Sequence, residues 1–318
     1  GRVLLNVLDC SKTGHGAPSI GLVKRLAQRH GHRLTVVVDC CQMRLSATSL
    51  RGYVAAGFLV QITGSKFFGG PPFSGALLVP PAVAARAAKG LWLPPGLTAY
   101  CARAEWPQAF AATTRSLTDT INFGLLFRWT AALHEIARAG TLDSDDCEAT
   151  MADLDGEFVR LIADYDRLDI VEATPLDRSS LGVFDGWAEF RTIFPVTMLR
   201  DGPAGEQIAV GIDDAKLVHR WLNQSLAAKL PPGASIDDRN TASALCLVGQ
   251  PVKIAAAGGG RGAIRLCIDA RQLARIVEAD SCDCREQRMA AVMADLGVVL
   301  RKLDLILSHF EYLKTQCG

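Results

Sequence analysis

Short apolar runs alternate with helical segments between residues 3 and 79, and this alternation constrains the fold more than any other feature. The predicted strands are Val3–Asp9, Leu34–Val38, Phe58–Thr63 and Ala76–Val79. Residues 18–31 and 46–57, which lie between them, are predicted to be helices. Because the strands are apolar on both faces, we expect a mostly parallel sheet with flanking helices, an α/β fold. Ligands of such sheets bind at the carboxyl ends of the strands.

The rest of the chain predicts a second, different unit. Residues 80–120 are rich in Pro, Gly and Trp and are expected to be irregular, and helices are expected at 122–139 and 144–165. In the first of these helices, an apolar stripe is expected to be core: Leu125, Trp129, Leu133 and Ile136. The second half mixes short strands, Ala244–Val248 among them, with helices and ends in one long amphipathic helix at 284–313. We therefore predict a large domain at 1–140 and a smaller α+β domain at 141–318.

Charge and cysteine usage exclude several classes of partner. The formal net charge is +1 and basic residues are spread along the chain, so neither a nucleic-acid stripe nor a membrane-binding block is expected. No apolar stretch reaches the roughly 20 residues that a membrane helix needs. The ten cysteines have no regular spacing, which favours a reducing, cytoplasmic location over a disulfide framework. Cys282 and Cys284 lack further metal-ligand residues at suitable spacing, so we expect no metal.

The segments that follow the second and third strands carry the residues best suited to chemistry. Asp39 and Gln42 follow one strand, and Thr63, Ser65 and Lys66 follow the next. Taken singly, an Asp at a strand end is usually a turn or cap residue and a loop Lys is usually solvated. At the ends of neighbouring parallel strands, however, the two groups would face a common ligand site. Pyridoxal phosphate (PLP) needs a Schiff-base lysine, an acid beside its pyridine nitrogen, and donors for its oxygens, and this set offers all of them.

The joint pattern Asp-x-x-Gln, then Thr-x-x-Lys followed by Gly-Gly-Pro, resembles the class V aminotransferase and cysteine desulfurase superfamily of fold type I PLP enzymes. The resemblance implies that Lys66 holds the cofactor and that Asp39 pairs with the pyridine nitrogen. It also implies that Gln42 contacts the phenolate oxygen and that Thr63 contacts the phosphate, with Ser65 as a further hydroxyl. The implied reaction is aminotransferase-like and acts on an amino acid.

Weaker similarities extend the proposed site. The segment 115–118 is similar to one that, in this superfamily, sends a Thr to the partner subunit's cofactor phosphate, which implies a homodimer and a cofactor role for Thr118. Thr118 could equally be a helix N-cap. Arg265 resembles the arginine that binds the substrate carboxylate, although a structural Asp would also satisfy a buried arginine. His15 lies in a loop that could line the substrate site, but a hydrogen-bonded loop histidine is the simpler interpretation.

Departures from the superfamily leave other functions open. Its usual N-terminal segment, with the main phosphate loop and the ring-stacking residue, has no counterpart before the first strand. A non-catalytic PLP-fold protein, or one that needs that missing part, is therefore an alternative. Cysteine desulfuration and other PLP lyase reactions of the superfamily are further alternatives. For desulfuration, however, Cys246 lies in an apolar run and is expected to be a small buried side chain. An unrelated nucleotide-binding α/β protein is disfavoured because no glycine-rich phosphate loop follows any strand.

Overall fold

The first unit is a mixed α/β structure built on a four-stranded sheet. The computed structural model describes residues 1–174, 176–182, 186–255, 260–279 and 281–317. The strands of the first sheet, in sheet order, are β1 (Val3–Leu8), β2 (Leu34–Asp39), β3 (Leu59–Thr63) and β4 (Gly75–Leu78). The first three are parallel and β4 is antiparallel to β3. The predicted mostly parallel sheet is therefore present, with boundaries within one residue of those expected.

One face of this sheet is closed by helices. α1 (Ile20–His30) packs on β2, and α2 (Ala47–Ala55) packs on β3. Ser46 is the N-cap of α2, and its side chain accepts a hydrogen bond from the backbone N–H of Ser49. In the first turn of a helix this N–H has no backbone acceptor within the helix. The strand residues on this face are fully buried: Val7, Val36, Val38 and Val60.

The opposite face of the same sheet is partly open, although Val37 in its centre is buried. Its residues alternate with the buried ones, and Leu4 and Leu77 expose 66% and 50% of their surface. Asn6 and Gln61, on the same face, are also exposed, and Leu77 lies directly beside Gln61 in the register. Parallel sheets normally bury both faces. The sheet therefore presents a surface of the kind that another layer of polypeptide covers.

This asymmetry predicts opposite effects for neighbouring strand residues. Leu77→Gln is expected to change the free energy of unfolding by less than about 0.5 kcal/mol, because the side chain already meets water. Val60→Gln, on the helix-covered face, should cost more than about 3 kcal/mol, because an amide replaces a fully buried valine. Urea denaturation measures both. Equal losses would show that the open face is covered in solution.

The segment from β4 to the next long helix is more ordered than predicted. It contains α3 (Pro81–Ala87) and a series of single 3₁₀ turns before α4 (Phe123–Ala139). The expected core stripe of α4 was wrong: Leu125, Trp129 and Ile136 are half-buried and Leu133 is exposed. The reason is that α4 packs through Ala132, its one buried residue.

Glycines make the close approach of α4 possible. A Cβ added at Gly64 would lie 2.2 Å from the Ala132 Cβ, and one at Gly70 would lie 2.8 Å from the same atom. Such distances exclude any side chain without movement of the backbone. Gly64 and Gly70 flank Lys66, so the helix fixes the loop that carries this lysine.

The second unit is α+β and contains an antiparallel sheet. Its strands are β5 (Leu168–Ile170), β6 (Ile193–Asp201), β7 (Gln207–Ala209), β8 (Gly249–Ile254) and β9 (Arg261–Cys267), in the order β5-β6-β9-β8 with β7 beside β6. Its helices are α5 (Ser144–Ala163), α6 (Ile212–Leu222), α7 (Ile236–Ser243), α8 (Ala270–Val277), α9 (Cys282–Ser308) and α10 (Phe310–Cys317). One large apolar core joins the sheet to α5, α6 and α9.

Two predictions about this unit were wrong. Ala244–Val248 is a loop, because Cys246 bonds through its N–H to the carbonyl of Leu222 at the end of a helix rather than to a strand. The buried Lys302 donates to the carbonyls of Leu222 and Ala244 and holds this loop in place. The terminal helix is also broken, at His309, between α9 and α10. None of the helices formed by described residues is both long and apolar enough to cross a membrane.

Candidate functional site

The loops after β2 and β3 meet at the carboxyl edge of the sheet. Asp39 ends β2, and its Oδ1 accepts the N–H of Cys41 at 2.9 Å. The N–H of Phe67 donates to the carbonyl of Gln42 at 3.4 Å, which joins the two loops. The structure thus brings Asp39, Gln42 and the segment around Lys66 to one edge, as the strand-end argument predicts.

The Lys66 loop is a compact turn. The N–H of Gly69 donates to the carbonyl of Lys66 at 2.9 Å, and the N–H of Gly70 donates to that of Gly64 at 2.8 Å. Gly69 adopts a φ of 64°, a left-handed conformation that glycine tolerates best. The Lys66 side chain is exposed and has no hydrogen bond or ion pair with any described residue. Its amine is therefore accessible to a ligand.

Cys41 links the carboxylate and the lysine electrostatically, and sequence reasoning did not single it out. Burial, a hydrogen bond to the Asp39 carboxylate and the charge of that carboxylate raise the pKa of the Cys41 thiol to about 12, while the nearby charge of Lys66 opposes the rise. The thiol is consequently neutral near pH 7. Asp39 has no ion pair with a described cation, which leaves its charge available to a ligand.

Hydroxyl groups lie beside the lysine. Thr63 Oγ1 and Ser65 Oγ are 2.9 Å apart, and the N–H of Ser65 also donates to Thr63 Oγ1, at 3.3 Å. Thr63 is buried and Ser65 is half-buried. This pair can present hydroxyl donors to an anionic oxygen, as the sequence predicts for phosphate.

A buried ionic cluster behind this edge was missed by sequence reasoning. Arg178 donates to both carboxylate oxygens of Asp9, at 2.8 and 2.9 Å, and the hydroxyl of Tyr53 donates to Oδ1 at 2.7 Å. Arg178 also donates to the carbonyl of Arg44 at 3.0 Å. Burial, followed by the charge and hydrogen bond of Asp9, raises the pKa of Tyr53. Asp9 stands at the end of β1 much as Asp39 stands at the end of β2. Its bidentate partner, Arg178, comes from a loop that is distant in the sequence.

Arg44 is a second residue that the sequence did not reveal. It is 6% exposed, and its Nη1 donates to the carbonyls of Thr192 and Ile268, at 2.9 and 2.8 Å. Its guanidinium lies 5.3 Å from the ring centroid of Phe67, which stacks on Trp187. The arginine thus connects the loop after β2 to the second sheet.

The other predicted site residues lie in separate surroundings. Arg265 is buried in β9 and donates through Nε to the carbonyl of Gln250 at 2.8 Å. His15 is half-buried, and its Nδ1 is 3.2 Å from the hydroxyl of Thr13. Thr118 is exposed and bonds to Thr120 through its hydroxyl. Thr118 is not the N-cap of α4, because Asn122 has that role.

These residues offer groups for the ring, the aldehyde and the phosphate of PLP. Asp39 and Lys66 offer a carboxylate and a primary amine that have no counter-ions among the described residues, which suits the pyridine nitrogen and the aldehyde. For the phosphate, the same edge supplies the hydroxyls of Thr63 and Ser65. The described residues contain no group of three or more potential metal ligands.

Comparisons with known proteins do not assign the chain to a family. No family model matches it, and no curated protein matches it. The crystal structure of mouse CSAD aligns with a TM-score of 0.42 and 12% sequence identity, over 93% of this chain and 51% of that one. The chain thus spans about half the length of mouse CSAD. A similarity this low carries no conclusion about activity.

Proposed function

We propose that the chain is the lysine-bearing part of a PLP-dependent enzyme of the aminotransferase type that acts on an amino acid. One observation carries the proposal. Asp39 ends β2 and Lys66 lies on the loop after β3, so both are at the carboxyl edge of parallel strands, and neither is paired with a described residue of opposite charge. A charged pair of groups without partners at such an edge is typical of a ligand site.

Each residue has a distinct part in this proposal. Lys66 would hold the cofactor through its aldehyde and could carry a proton to or from the substrate α-carbon. Asp39 would accept a hydrogen bond from a protonated pyridine nitrogen, and the backbone N–H of Cys41 orients its carboxylate. Gln42 and Thr63 would position the ring and the phosphate. When bound, PLP supplies an electron sink for the α-carbon.

The substrate contacts extend the proposal to the second unit. Arg265 has a planar guanidinium suited to a carboxylate, and none of the described carboxylates is paired with it. It would hold the α-carboxylate of the amino acid. Desulfuration is less well supported, because Cys246 is buried and burial raises its pKa, so that it is a poor nucleophile.

A second candidate is a PLP-fold protein whose site is completed by another polypeptide. The open face of the first sheet favours it, since Leu4 and Leu77 are exposed where parallel sheets are normally covered. A covering layer at that face would stand beside Asp39 and could add phosphate donors. A homodimer in which Thr118 reaches the partner's site is one arrangement that would meet this requirement.

Covalent labelling tests the proposal. Purified protein is mixed with PLP, its visible absorbance is recorded, and the sample is reduced with borohydride, digested and mapped by mass spectrometry. We expect a visible band and a reduced pyridoxyl group on Lys66. Label spread evenly over exposed lysines such as Lys12 and Lys89 would contradict a specific site. Formation of an oxo acid or of sulfide from candidate amino acids then separates transamination from desulfuration.

A further inference from the structure

The outer face of α4 exposes a run of large apolar side chains. Five side chains on this helix or just before it expose between 50% and 67% of their surface: Ile121, Phe123, Leu126, Phe127 and Leu133. The rings of Phe123 and Phe127 stack, with centroids 6.1 Å apart. Phe73, on the turn before β4, is 84% exposed and lies beside the helix, since the Arg128 guanidinium is 6.0 Å from its ring centroid. We call these six apolar residues the α4 patch.

The backbone of Phe73 gives a second, independent indication of a partner. Its φ is 64°, in the left-handed region that a bulky side chain adopts only at a cost. Residues strained in this way cluster at functional sites. The strain at Phe73 holds an aromatic ring in water, which is unfavourable unless the ring is covered by another surface.

The α4 patch contains no charge, and the charged residues around it are engaged within the chain. Glu135 pairs with Arg271 at 3.1 Å, Arg138 pairs with Glu278, and Arg128 lies over Phe73. At their observed exposures, the six side chains present roughly 600 Å² of apolar surface. The largest apolar patch of a monomeric protein is usually about 300–600 Å² and is often functional. The α4 patch is therefore as large as the interaction surfaces of other proteins.

The order of side chains along α4 suits a second copy of the same helix. Thr130 is exposed at the centre of the patch, with Phe123 and Phe127 before it and Leu133 and the exposed Ala137 after it. If two copies pair antiparallel about a two-fold axis at Thr130, Phe127 of one copy faces Leu133 of the other, and Phe123 faces Ala137. Each of these large aromatic side chains thus meets a smaller one, which is the self-complementarity that a two-fold interface requires.

Charge and area also favour a second copy. The formal net charge of the chain is only +1, so two copies repel each other weakly. An uncharged patch gives no reason for an acidic or a basic partner. Two such patches would together bury roughly 1,200 Å², the lower end of the range for specific protein–protein interfaces.

We propose that the α4 patch is a self-association surface, through which two copies of the chain form a closed dimer with their α4 helices antiparallel about a two-fold axis at Thr130. The inference does not depend on a cofactor. On the opposite side of the helix, Ala132 packs against Gly64 and Gly70. The dimer therefore supports the helix that fixes the Lys66 loop. The competing occupant of the patch is a different polypeptide.

Sedimentation equilibrium of the purified chain tests the surface. We expect twice the mass of one chain, with a dissociation constant below about 100 µM. Phe127→Glu and Leu133→Glu each place a carboxylate at the centre of the interface and should raise this constant at least roughly a hundredfold. Leu247→Glu changes an apolar side chain that is 89% exposed on another loop and is the matched control, with no effect. A wild-type chain that is monomeric between about 1 and 100 µM, or a Phe127→Glu dimer as tight as the wild type, would overturn the proposal.

Two further variants test the antiparallel arrangement. Thr130→Cys lies on the proposed axis and should cross-link into a covalent dimer on oxidation with diamide, whereas Ala290→Cys, exposed on α9, should not exceed the wild-type background of native cysteines. Phe127→Glu combined with Leu133→Lys places opposite charges against each other across the axis and should recover part of the lost affinity. A dimer that Thr130→Cys does not cross-link, or assembly that continues beyond two copies, would refute this arrangement.

These measurements are independent of the proposed function because no sample contains PLP. Label on Lys66 of a monomeric wild-type chain would refute only the dimer. A dimer through α4 whose Lys66 takes no label would refute only the cofactor proposal.

Discussion

Replacing Lys66 with alanine is expected to abolish the visible absorbance band and the covalent incorporation of PLP completely. The reason is chemical: only a primary amine at this position can form the bond to the cofactor aldehyde, and the side chain is exposed and unpaired. The measurement is the stoichiometry of pyridoxyl label after borohydride reduction. Because Lys66 makes no hydrogen bond or ion pair with described residues, the free energy of unfolding should change by less than about 0.5 kcal/mol.

Matched variants make the result specific. Lys66→Arg preserves the charge but lacks a nucleophilic amine, so it should also lose the label. Lys89→Ala removes another exposed lysine and should retain it. Asp39→Asn should lower the affinity for PLP while Lys66 remains reactive, because the pyridine nitrogen loses its acidic partner. Persistent labelling of Lys66→Ala at full stoichiometry would refute the assignment of the cofactor lysine.

Arg178→Met is expected to destabilise the fold by about 3–5 kcal/mol, because it leaves the buried Asp9 carboxylate without its bidentate partner. The loss in stability would arise because the Asp9 charge stays buried without a partner, and it would exceed the net stabilisation that the ion pair provides. The hydroxyl of Tyr53 would still donate a hydrogen bond to Asp9, but a neutral hydroxyl cannot neutralise the carboxylate charge. Urea unfolding monitored by circular dichroism measures the change.

Further variants compare this buried ion pair with a half-exposed ion pair. Arg138→Met breaks a half-exposed pair with Glu278 and should cost less than about 1 kcal/mol. In the double variant Asp9→Leu with Arg178→Met, no buried charge is left alone, so we expect a smaller loss than in Arg178→Met. A loss near zero for Arg178→Met would show that Asp9 is hydrated in solution.

The first sheet and the placement of residues at its carboxyl edge could be predicted from the sequence, because both depend on short-range patterns. β-branched runs such as Val36–Val38 are recognisable as buried strands. Where neighbouring strands are parallel, their carboxyl ends necessarily lie at one edge, so Asp39 and the Lys66 loop could be placed together. Periodicity was less reliable for α4, since Leu133 has the spacing of a core residue and is nevertheless exposed.

Partners distant in sequence depended on the tertiary structure. Asp9 and Arg178 are 169 residues apart, and Arg44 and Ile268 are 224 apart, so no local pattern joins them. The loop at Ala244–Val248 resembles a strand locally, but Lys302 and the end of α6 determine its path. Which face of a strand is covered is equally non-local, because it depends on where the helices pack.

The sequence by itself determined the order of strands and helices in the first unit and the set of groups at one sheet edge, among them Lys66. Hydrophobic periodicity and the geometry of parallel strands are sufficient for both. Only the tertiary structure decided that Arg178 neutralises Asp9, whereas Arg44 and Arg265 have no carboxylate partner among the residues that the structure describes. Pairing of buried charges depends on three-dimensional distance and desolvation, and neither can be derived from the order of residues along the chain.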